Sequence, residues 1–168
     1  MMPAEPQEIQ LRTEGCAALR AISAAAGQTR ELGKVLDVAV QVLEQMPGVH
    51  ASCVHLRNAD GWALAACRGT VAAVPPLSWF VETEHPGLED VVTNRRAIVS
   101  HASPDVGSTA SKAVQNWAAA PCLVEGTVRG IVWVGSQETQ GLPTGIGELI
   151  EAVGNVLGMV IELSLIHI

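Results

Sequence analysis

Four cysteines and five histidines are the residues of this chain with the most obvious chemistry. Cys53, His55 and Arg57 stand two residues apart in the run SCVHLR, and side chains at that spacing share one face of a β-strand. A thiol and an imidazole on one face can both touch a bound metal ion or anion. Cys53 and His55 are therefore candidate ligand-binding residues, although such a face can also turn towards packed helices or towards solvent.

Cys122 follows Pro121 at the start of the run LVEGTVRGIVWVGS. A reactive cysteine needs a cationic neighbour or a helix N-terminus that stabilises its thiolate, and no residue near Cys122 in the sequence provides one. The sequence therefore favours a buried residue in a pocket wall over a redox or metal-binding thiol. Cys67 lies on another predicted strand and is expected in the core. The cysteines have no CxxC pair or other metal-ligand spacing, so no metal site is predicted.

Composition and charge exclude several classes of function. The net charge of -7, from 17 acidic and 10 basic residues, comes without the clustered Lys and Arg of a nucleic-acid surface. The first residues have no apolar signal-peptide region. The sequence also has no run of about 18 apolar residues, the length that a membrane-spanning helix needs. Because unpaired cysteines fit a reducing compartment, the sequence predicts a cytoplasmic protein without a nucleic-acid partner.

The hydrophobic pattern predicts helices at both ends of the chain and strands between them. Apolar residues recur every three or four positions in residues 8–26 and 29–46, and in a long helix from about residue 145. Alternating segments predict one hairpin in 52–68 and another in 119–136. The stretch between the hairpins predicts a short helix (87–96), a short strand (97–100) and a helix or turn (114–117). This order predicts an α+β fold with the terminal helices on one face of an antiparallel sheet.

Four stretches of the sequence resemble GAF domains, the small-molecule sensory modules of many signalling proteins. They are LGKVLDVAVQVLEQMPGVHASCVHLRNADGWALAACRGT, PGLEDVVTNRRAIVSHASPD, AAAPCLVEGTVRGIVWVGS and GELIEAVGNVLGMVIE. Their order and spacing carry the resemblance. It implies a PAS-related α+β fold: a six-stranded antiparallel sheet with the N- and C-terminal helices packed on one face. A variable segment forms a ligand pocket on the other face.

The resemblance also divides the chain. Residues 1–27 are expected to form a leader and a helix, and residues 28–163 the GAF domain. Residues 164–168, SLIHI, are similar to read-through of a synthetic sequencing adapter, so we expect a non-native or truncated tail there. The last helix is similar to those placed before the transmitter of bacterial sensor histidine kinases, which implies a kinase domain downstream in the full-length protein.

In GAF domains the variable segment contributes ligand contacts. His85 or His101 could supply the axial ligand of a haem, although loop histidines are also commonly solvated, and the cofactor stays unassigned. Aromatic residues of this segment can line a pocket for a planar ligand or simply fill a core made of Ala and Val. The resemblance predicts a pocket formed by Cys53, His55, Trp79, Phe80, His101, Trp117 and Cys122.

Signatures of specialised GAF domains are missing. The segment TNRR lacks the asparagine–lysine signature of members that bind cyclic nucleotides, and no Cys-His dipeptide marks a bilin attachment site. We therefore expect a non-enzymatic sensor that binds a small-molecule effector and signals through a homodimer of its terminal helices. Two alternatives stay open. One is a small thiol oxidoreductase of the free methionine sulfoxide reductase type, using Cys53, Cys67 or Cys122, and the other is a GAF assembly module without a ligand.

Overall fold

The computed structural model of this chain describes residues 6–69, 86–101, 116–137 and 141–166. None of the helices in these ranges has the length and apolar character needed to cross a membrane. The elements, in chain order, are α1 (Pro6–Gln28), α2 (Leu32–Glu44), β1 (Ala51–Asn58), β2 (Gly61–Gly69), α3 (Pro86–Asn94), β3 (Ile98–His101), β4 (Asn116–Val124), β5 (Thr127–Ser136) and α4 (Ile146–Ile166).

The described strands form one antiparallel sheet in the order β2-β1-β5-β4-β3. In the β1–β2 turn the N–H of Asp60 donates to Asn58 Oδ1 over 2.9 Å, and Gly61 has a φ of +123°. In the β4–β5 turn Glu125 and Gly126 have φ values of +52° and +78°. Positive φ at both residues is what a two-residue hairpin turn needs to match the twist of the strands. The predicted α+β class is confirmed. The sixth strand implied by the resemblance is not among the described residues.

Three helices, α1, α2 and α4, cover one face of the sheet and enclose the larger core. The hydroxyl of Ser52 on β1 donates a hydrogen bond to the carbonyl oxygen of Val40 on α2 over 2.6 Å, which ties helix to sheet. Helix α2 is amphipathic, with its buried side chains at three- and four-residue spacing. These are Val35, Leu36, Ala39, Val40 and Leu43.

Helix α4 lies so close to β4 that two of its residues must be glycine. A Cβ atom on Gly154 would lie 2.5 Å from the carbonyl oxygen of Pro121, and one on Gly158 would overlap the carbonyl oxygen of Leu123. Neither backbone oxygen can move aside without moving the strand. The two glycines are therefore points of contact between α4 and β4.

Two local predictions are wrong. Trp117 belongs to strand β4 and not to a helix or turn, because Asn116 and Trp117 continue the ladder opposite Ser136 and Gly135 of β5. Cys67, expected in the core, is exposed. It lies on β2, which is the outer strand on its side of the described sheet, so no further described strand shields it.

Candidate functional site

The face of the sheet opposite α1, α2 and α4 carries a second, smaller core. We call it the site face. It combines residues of the central strands with Val91 from α3, and half-buried side chains such as Trp62 and Ile98 form its border. Its buried members are Ala51, Cys53, His55, Val91, Trp117, Ala119, Val128, Ile131 and Trp133.

Strand register brings Cys53 and Trp133 side by side. Cys53 of β1 pairs with Trp133 of β5, and Trp133 in turn pairs with Ala119 of β4. All three residues are fully buried. The row therefore presents one large aromatic ring between two small side chains.

Cys53 and His55, two residues apart on β1, are in contact through their polar atoms. Cys53 Sγ lies 3.7 Å from His55 Nδ1, and both residues are buried. Burial lowers the pKa of the His55 imidazole from 6.5 to about 4. Burial also raises the pKa of the Cys53 thiol, with a further contribution from the neighbouring Cys67. At pH 7 both groups are neutral, so they offer a ligand a donor and an acceptor without charge.

The indole N–H of Trp133 is a buried donor for which the described part of the chain provides no acceptor. Its Nε1 is shielded from solvent, and no described residue accepts its hydrogen bond. A buried donor left unpaired costs about 1–3 kcal/mol, which makes such a group rare in native proteins and in need of an explanation. The N–H of Trp133 is therefore a group on the site face for which an acceptor has to come from outside the described residues.

Of the residues predicted to form the pocket, Cys53, His55 and Trp117 lie together on the site face. Cys122 does not lie with them. It is fully buried in the larger core on the opposite face of the sheet, among the helices, and burial raises its pKa to about 12. The sheet separates Cys122 from Cys53, so we leave Cys122 out of the site proposed below.

The structure says little about the other three residues predicted to form the pocket. His101 is the last residue of β3 and pairs with Asn116 of β4. Trp79 and Phe80 lie outside the described residues, as does His85. Their roles in ligand binding, including an axial position on a haem, stay predictions.

Sequence reasoning missed Trp133, although the run GIVWVGS contains a signal for it. Val132 and Val134 are the obvious core residues of this strand, and both do lie in the larger core. Strand alternation then assigns Ile131, Trp133 and Gly135 to the other face. In this run a tryptophan and, two residues later, a glycine share the face that the helices do not cover. That combination is the sequence signal that identifies Trp133.

No charged side chain is among the buried described residues of the site face. Arg57 continues the line of Cys53 and His55 along β1, but it is exposed, and its guanidinium lies 5.6 Å from the ring centroid of Trp62. Among the described residues, no three His, Cys, Asp or Glu side chains are grouped so that they could hold a metal ion. The site face offers aromatic surface with neutral donors and acceptors.

A shallow cleft with a volume of about 150 Å³ lies elsewhere, on the helical side of the molecule. It is formed where the α1–α2 connection meets the C-terminal part of α4, and it contains no residue of the site face. Its lining residues are Ala26, Thr29, Arg30, Leu32, Val35, Val160, Leu163 and Ser164. The chemistry of the site face, and not this cleft, makes the better candidate for a ligand.

No protein-family model matches this sequence, and no curated protein matches it. Solved structures match it by fold. One is the phycocyanobilin-bound GAF domain of a cyanobacterial phytochrome, with a TM-score of 0.73 and 15% identity over 91% of this chain and 96% of that one. Another is the GAF domain of A. aeolicus Nlh2 in an inactive state, with a TM-score of 0.68 and 19% identity over 91% and 98%.

A third similar structure is the free methionine-R-sulfoxide reductase of Neisseria meningitidis in complex with its substrate. Its TM-score is 0.75 at 14% identity, over 100% of this chain and 97% of that one. At such identities the likeness concerns the fold. This chain has the GAF fold, which agrees with the resemblance seen in its sequence.

Proposed function

We propose that this chain is a non-catalytic sensory domain that binds a small molecule on the site face. The observation that carries the proposal is the buried, unpaired N–H of Trp133, which lies beside the neutral pair of Cys53 and His55. An acceptor atom of a bound molecule would satisfy this donor and remove the cost of leaving it unpaired. Binding is favoured over a catalytic role for Cys53, because a catalytic cysteine has to be available as a thiolate in the resting protein and burial raises the pKa of the Cys53 thiol.

The chemistry of the site face favours an uncharged planar molecule with an oxygen or nitrogen acceptor at its rim. Trp117 and Trp133 supply aromatic surface, as in most pockets for such ligands. A phosphate group is disfavoured, because no cation is among the buried described residues of the site face and Arg57, beside Trp62 at its border, is exposed. Solved domains of this fold, one of them with phycocyanobilin bound and another in complex with its substrate, support small-molecule binding as the general role.

A thermal-shift screen tests this proposal. Planar heteroaromatic compounds, haem, nucleotides and simple anions are each added to the wild-type protein and to Trp133→Phe, which keeps an aromatic ring and removes the N–H. We expect at least one planar compound to raise the Tm, since a ligand at about one hundred times its Kd adds about 2.7 kcal/mol of stability. Trp133→Phe should weaken that compound about tenfold, as the loss of one hydrogen bond predicts.

Trp62→Phe is the matched control for this screen, because Trp62 lies at the border of the site face. It should leave the affinity within about twofold, well inside the effect of one hydrogen bond. If no compound class raises the Tm of the wild-type protein, the site face is only a second core. The assembly module without a ligand would then be the better description.

We further infer that the domain signals as a homodimer through its terminal helices. Met159, Leu163 and Leu165 of α4 are 63%, 57% and 49% exposed, unusual values for large apolar side chains. Ala152, Val156, Met159 and Leu163 follow the four-three-four spacing of a heptad seam. Met159 and Leu163 are exposed, whereas Ala152 and Val156 are half-buried and Val156 packs against the edge of the larger core. A second copy packed in parallel along this seam would bury these side chains.

The output that we propose is a histidine kinase transmitter, placed after α4 in the full-length cytoplasmic protein. The support is the similarity of residues 147–162 to the helices that precede such transmitters. A parallel seam along α4 is also suited to carry a rotation or splay to whatever follows. Reading the gene beyond codon 163 tests this proposal. A helix with a phosphoacceptor histidine would support it, and a stop codon would contradict it.

A thiol oxidoreductase is the alternative, which the likeness to a free methionine-R-sulfoxide reductase raises. Two observations argue against an oxidoreductase that uses Cys53 and Cys122. Both thiols are buried with raised pKa values, and they lie on opposite faces of the sheet. Alkylation with iodoacetamide at neutral pH separates the two classes. A thiol that reacts much faster than free cysteine would favour the enzyme, and slow reaction of Cys53 and Cys122 would favour the sensor.

A further inference from the structure

Cys53 and Cys67 face each other across the β1–β2 hairpin. They are direct partners in the antiparallel register, and the neighbouring pairs Ala51 with Gly69 and Val54 with Ala66 hold that register on both sides. Opposed residues of antiparallel strands have Cα atoms about 4.5–5.5 Å apart, within the range of about 4.4–6.8 Å that disulfides span. The Cα separation expected for this pair therefore lies within the range that a disulfide spans.

The two thiols differ in accessibility, in the way that a stepwise disulfide exchange requires. Cys67 is exposed on β2, the outer strand on its side of the described sheet, so a reagent in solution can reach it. Cys53 is fully buried one strand further in, where only a sulfur already attached to Cys67 can approach it. Both are free thiols.

We propose that Cys53 and Cys67 form a reversible disulfide in exchange with low-molecular-weight disulfides, which makes the β1–β2 hairpin a redox-sensitive part of the site face. The proposal does not depend on the small-molecule ligand, since it needs only the hairpin register and the accessibility of Cys67. It also differs from an oxidoreductase activity, because the product is a modified form of this chain.

The reaction proceeds in two exchanges. First, the Cys67 thiolate attacks one sulfur of the small disulfide, the Cys67 Sγ–S bond forms, the S–S bond of the reagent breaks, and one small thiolate leaves and takes up a proton. Next, Cys53 loses its proton and attacks Cys67 Sγ, the mixed disulfide breaks, and a second small thiolate leaves. Overall, two cysteine thiols lose two electrons and two protons, and one small disulfide becomes two thiols.

His55 is the group that can assist the second exchange. Its Nδ1 lies 3.7 Å from Cys53 Sγ and, in the tautomer that carries the ring proton on Nε2, it can accept a hydrogen bond from the Cys53 thiol. Burial lowers the pKa of His55 to about 4, so the imidazole does not keep the proton of Cys53, which passes to the small thiolate that leaves. His55 is therefore a positioning residue for Cys53.

Chain positions make this disulfide easy to detect. Trypsin cleaves after Lys34, Arg57 and Arg68, so Cys53 and Cys67 fall in the separate peptides 35–57 and 58–68, each with one cysteine. The disulfide joins these two peptides into one species. Cys122 is kept out by structure, because it is buried on the opposite face of the sheet, whereas Cys16 is exposed on α1 and has to be removed by substitution.

The experiment uses the folded chain in a Cys16→Ser background, which removes the other exposed thiol. The protein is incubated with oxidised glutathione, free thiols are blocked with iodoacetamide, and tryptic peptides are analysed by mass spectrometry without reduction. We expect the joined 35–57 and 58–68 species, lighter by two hydrogens than the sum of its parts, and its loss on treatment with dithiothreitol. Cys67→Ser should abolish it, and Cys53→Ala should instead accumulate glutathione on Cys67.

Two outcomes would overturn the proposal. One is a lasting glutathione adduct on Cys67 of the Cys53-containing protein while Cys53 remains free for alkylation after unfolding. The other is no modification of Cys67 at all. Both are read from the parent protein, so the test does not rest on the folding of Cys53→Ala, and circular dichroism of each variant identifies any that unfolds.

Discussion

The six-membered ring of Trp133 occupies the space in which a side chain of residue 135 would begin. A Cβ atom built on Gly135 would overlap Cη2, Cζ2 and Cζ3 of that ring. Gly135 also pairs with Trp117 across β4 and β5, so the indole of Trp133 extends along the sheet towards the strand position of the second tryptophan. Because Gly135 has no side chain, the indole has room to lie along the site face, where the described residues leave its buried N–H without an acceptor.

Gly135→Ala should displace the indole of Trp133 and destabilise the protein. Overpacking of a well-filled core typically costs about 1–3 kcal/mol, and we expect a loss of that size in urea unfolding followed by circular dichroism. Gly33→Ala is the control, since a Cβ on this exposed glycine of α2 meets nothing within 4 Å. That change should be neutral or stabilise by about 0.5–1 kcal/mol. Equal stability of Gly135→Ala and the wild type would contradict the packing described above.

Gly154→Ala tests the contact between α4 and β4. The new methyl group would overlap the carbonyl oxygen of Pro121, so helix and strand must separate. We expect a destabilisation of about 1–3 kcal/mol, measured by urea unfolding. Gly27→Ala, at a helical glycine of α1 with nothing within 4 Å, adds the same atom without a clash and should not destabilise. If both variants unfold at the same urea concentration, α4 does not lie on β4 as closely as described.

The buried His55 should make stability fall as the pH drops. The pKa of His55 is about 4 in the folded protein, and in the unfolded chain it takes the ordinary value of 6.5. Between these two pH values the unfolded chain therefore binds more protons than the folded one. The free energy of unfolding therefore keeps the full His55 contribution above pH 6.5, loses it progressively as the pH falls towards 4, and loses no more below that. From pH 7 to pH 5 the expected loss is about 2 kcal/mol.

Urea unfolding of the wild type and of His55→Gln at pH 7 and pH 5 measures this contribution. Glutamine keeps hydrogen-bonding capacity and does not titrate, so the difference between the two pH values should shrink by about 2 kcal/mol in the variant. Carboxylates that titrate in this range contribute equally to both proteins and cancel in the comparison. An unchanged pH dependence in His55→Gln would mean that His55 is not the responsible group.

The apolar seam of α4 predicts a dimer that one carboxylate disrupts. Met159→Glu should shift the protein towards monomer in sedimentation equilibrium, because it would bury a charge at the centre of the seam. Gln41→Glu adds the same charge to an exposed position of α2 and serves as the control. It should leave the association constant unchanged. A wild-type chain that is monomeric at all accessible concentrations would refute the seam as an interface of this domain.

The sequence by itself determined the local elements and the faces of the individual strands. Repeats of three and four residues locate α2 and α4, and alternation places Cys53 and His55 on one face of β1, because both periods are properties of the chain's own backbone geometry. Asp60 and Gly61 mark the first hairpin for the same local reason. The resemblance to GAF domains then predicted the arrangement of layers, and the solved structures of the same fold agree with it.

Only the tertiary structure decided which residues from distant strands meet. β1 lies beside β5, about eighty residues later in the chain, and this pairing sets Cys53 against Trp133 and leaves Cys122 on the far side of the sheet. The register within the first hairpin, which sets Cys67 opposite Cys53, and the close approach that requires glycine at 135 are likewise decided by pairing and packing. Strand alternation says which residues share a face, but the neighbouring strand and the layer that covers that face depend on contacts that no local pattern contains.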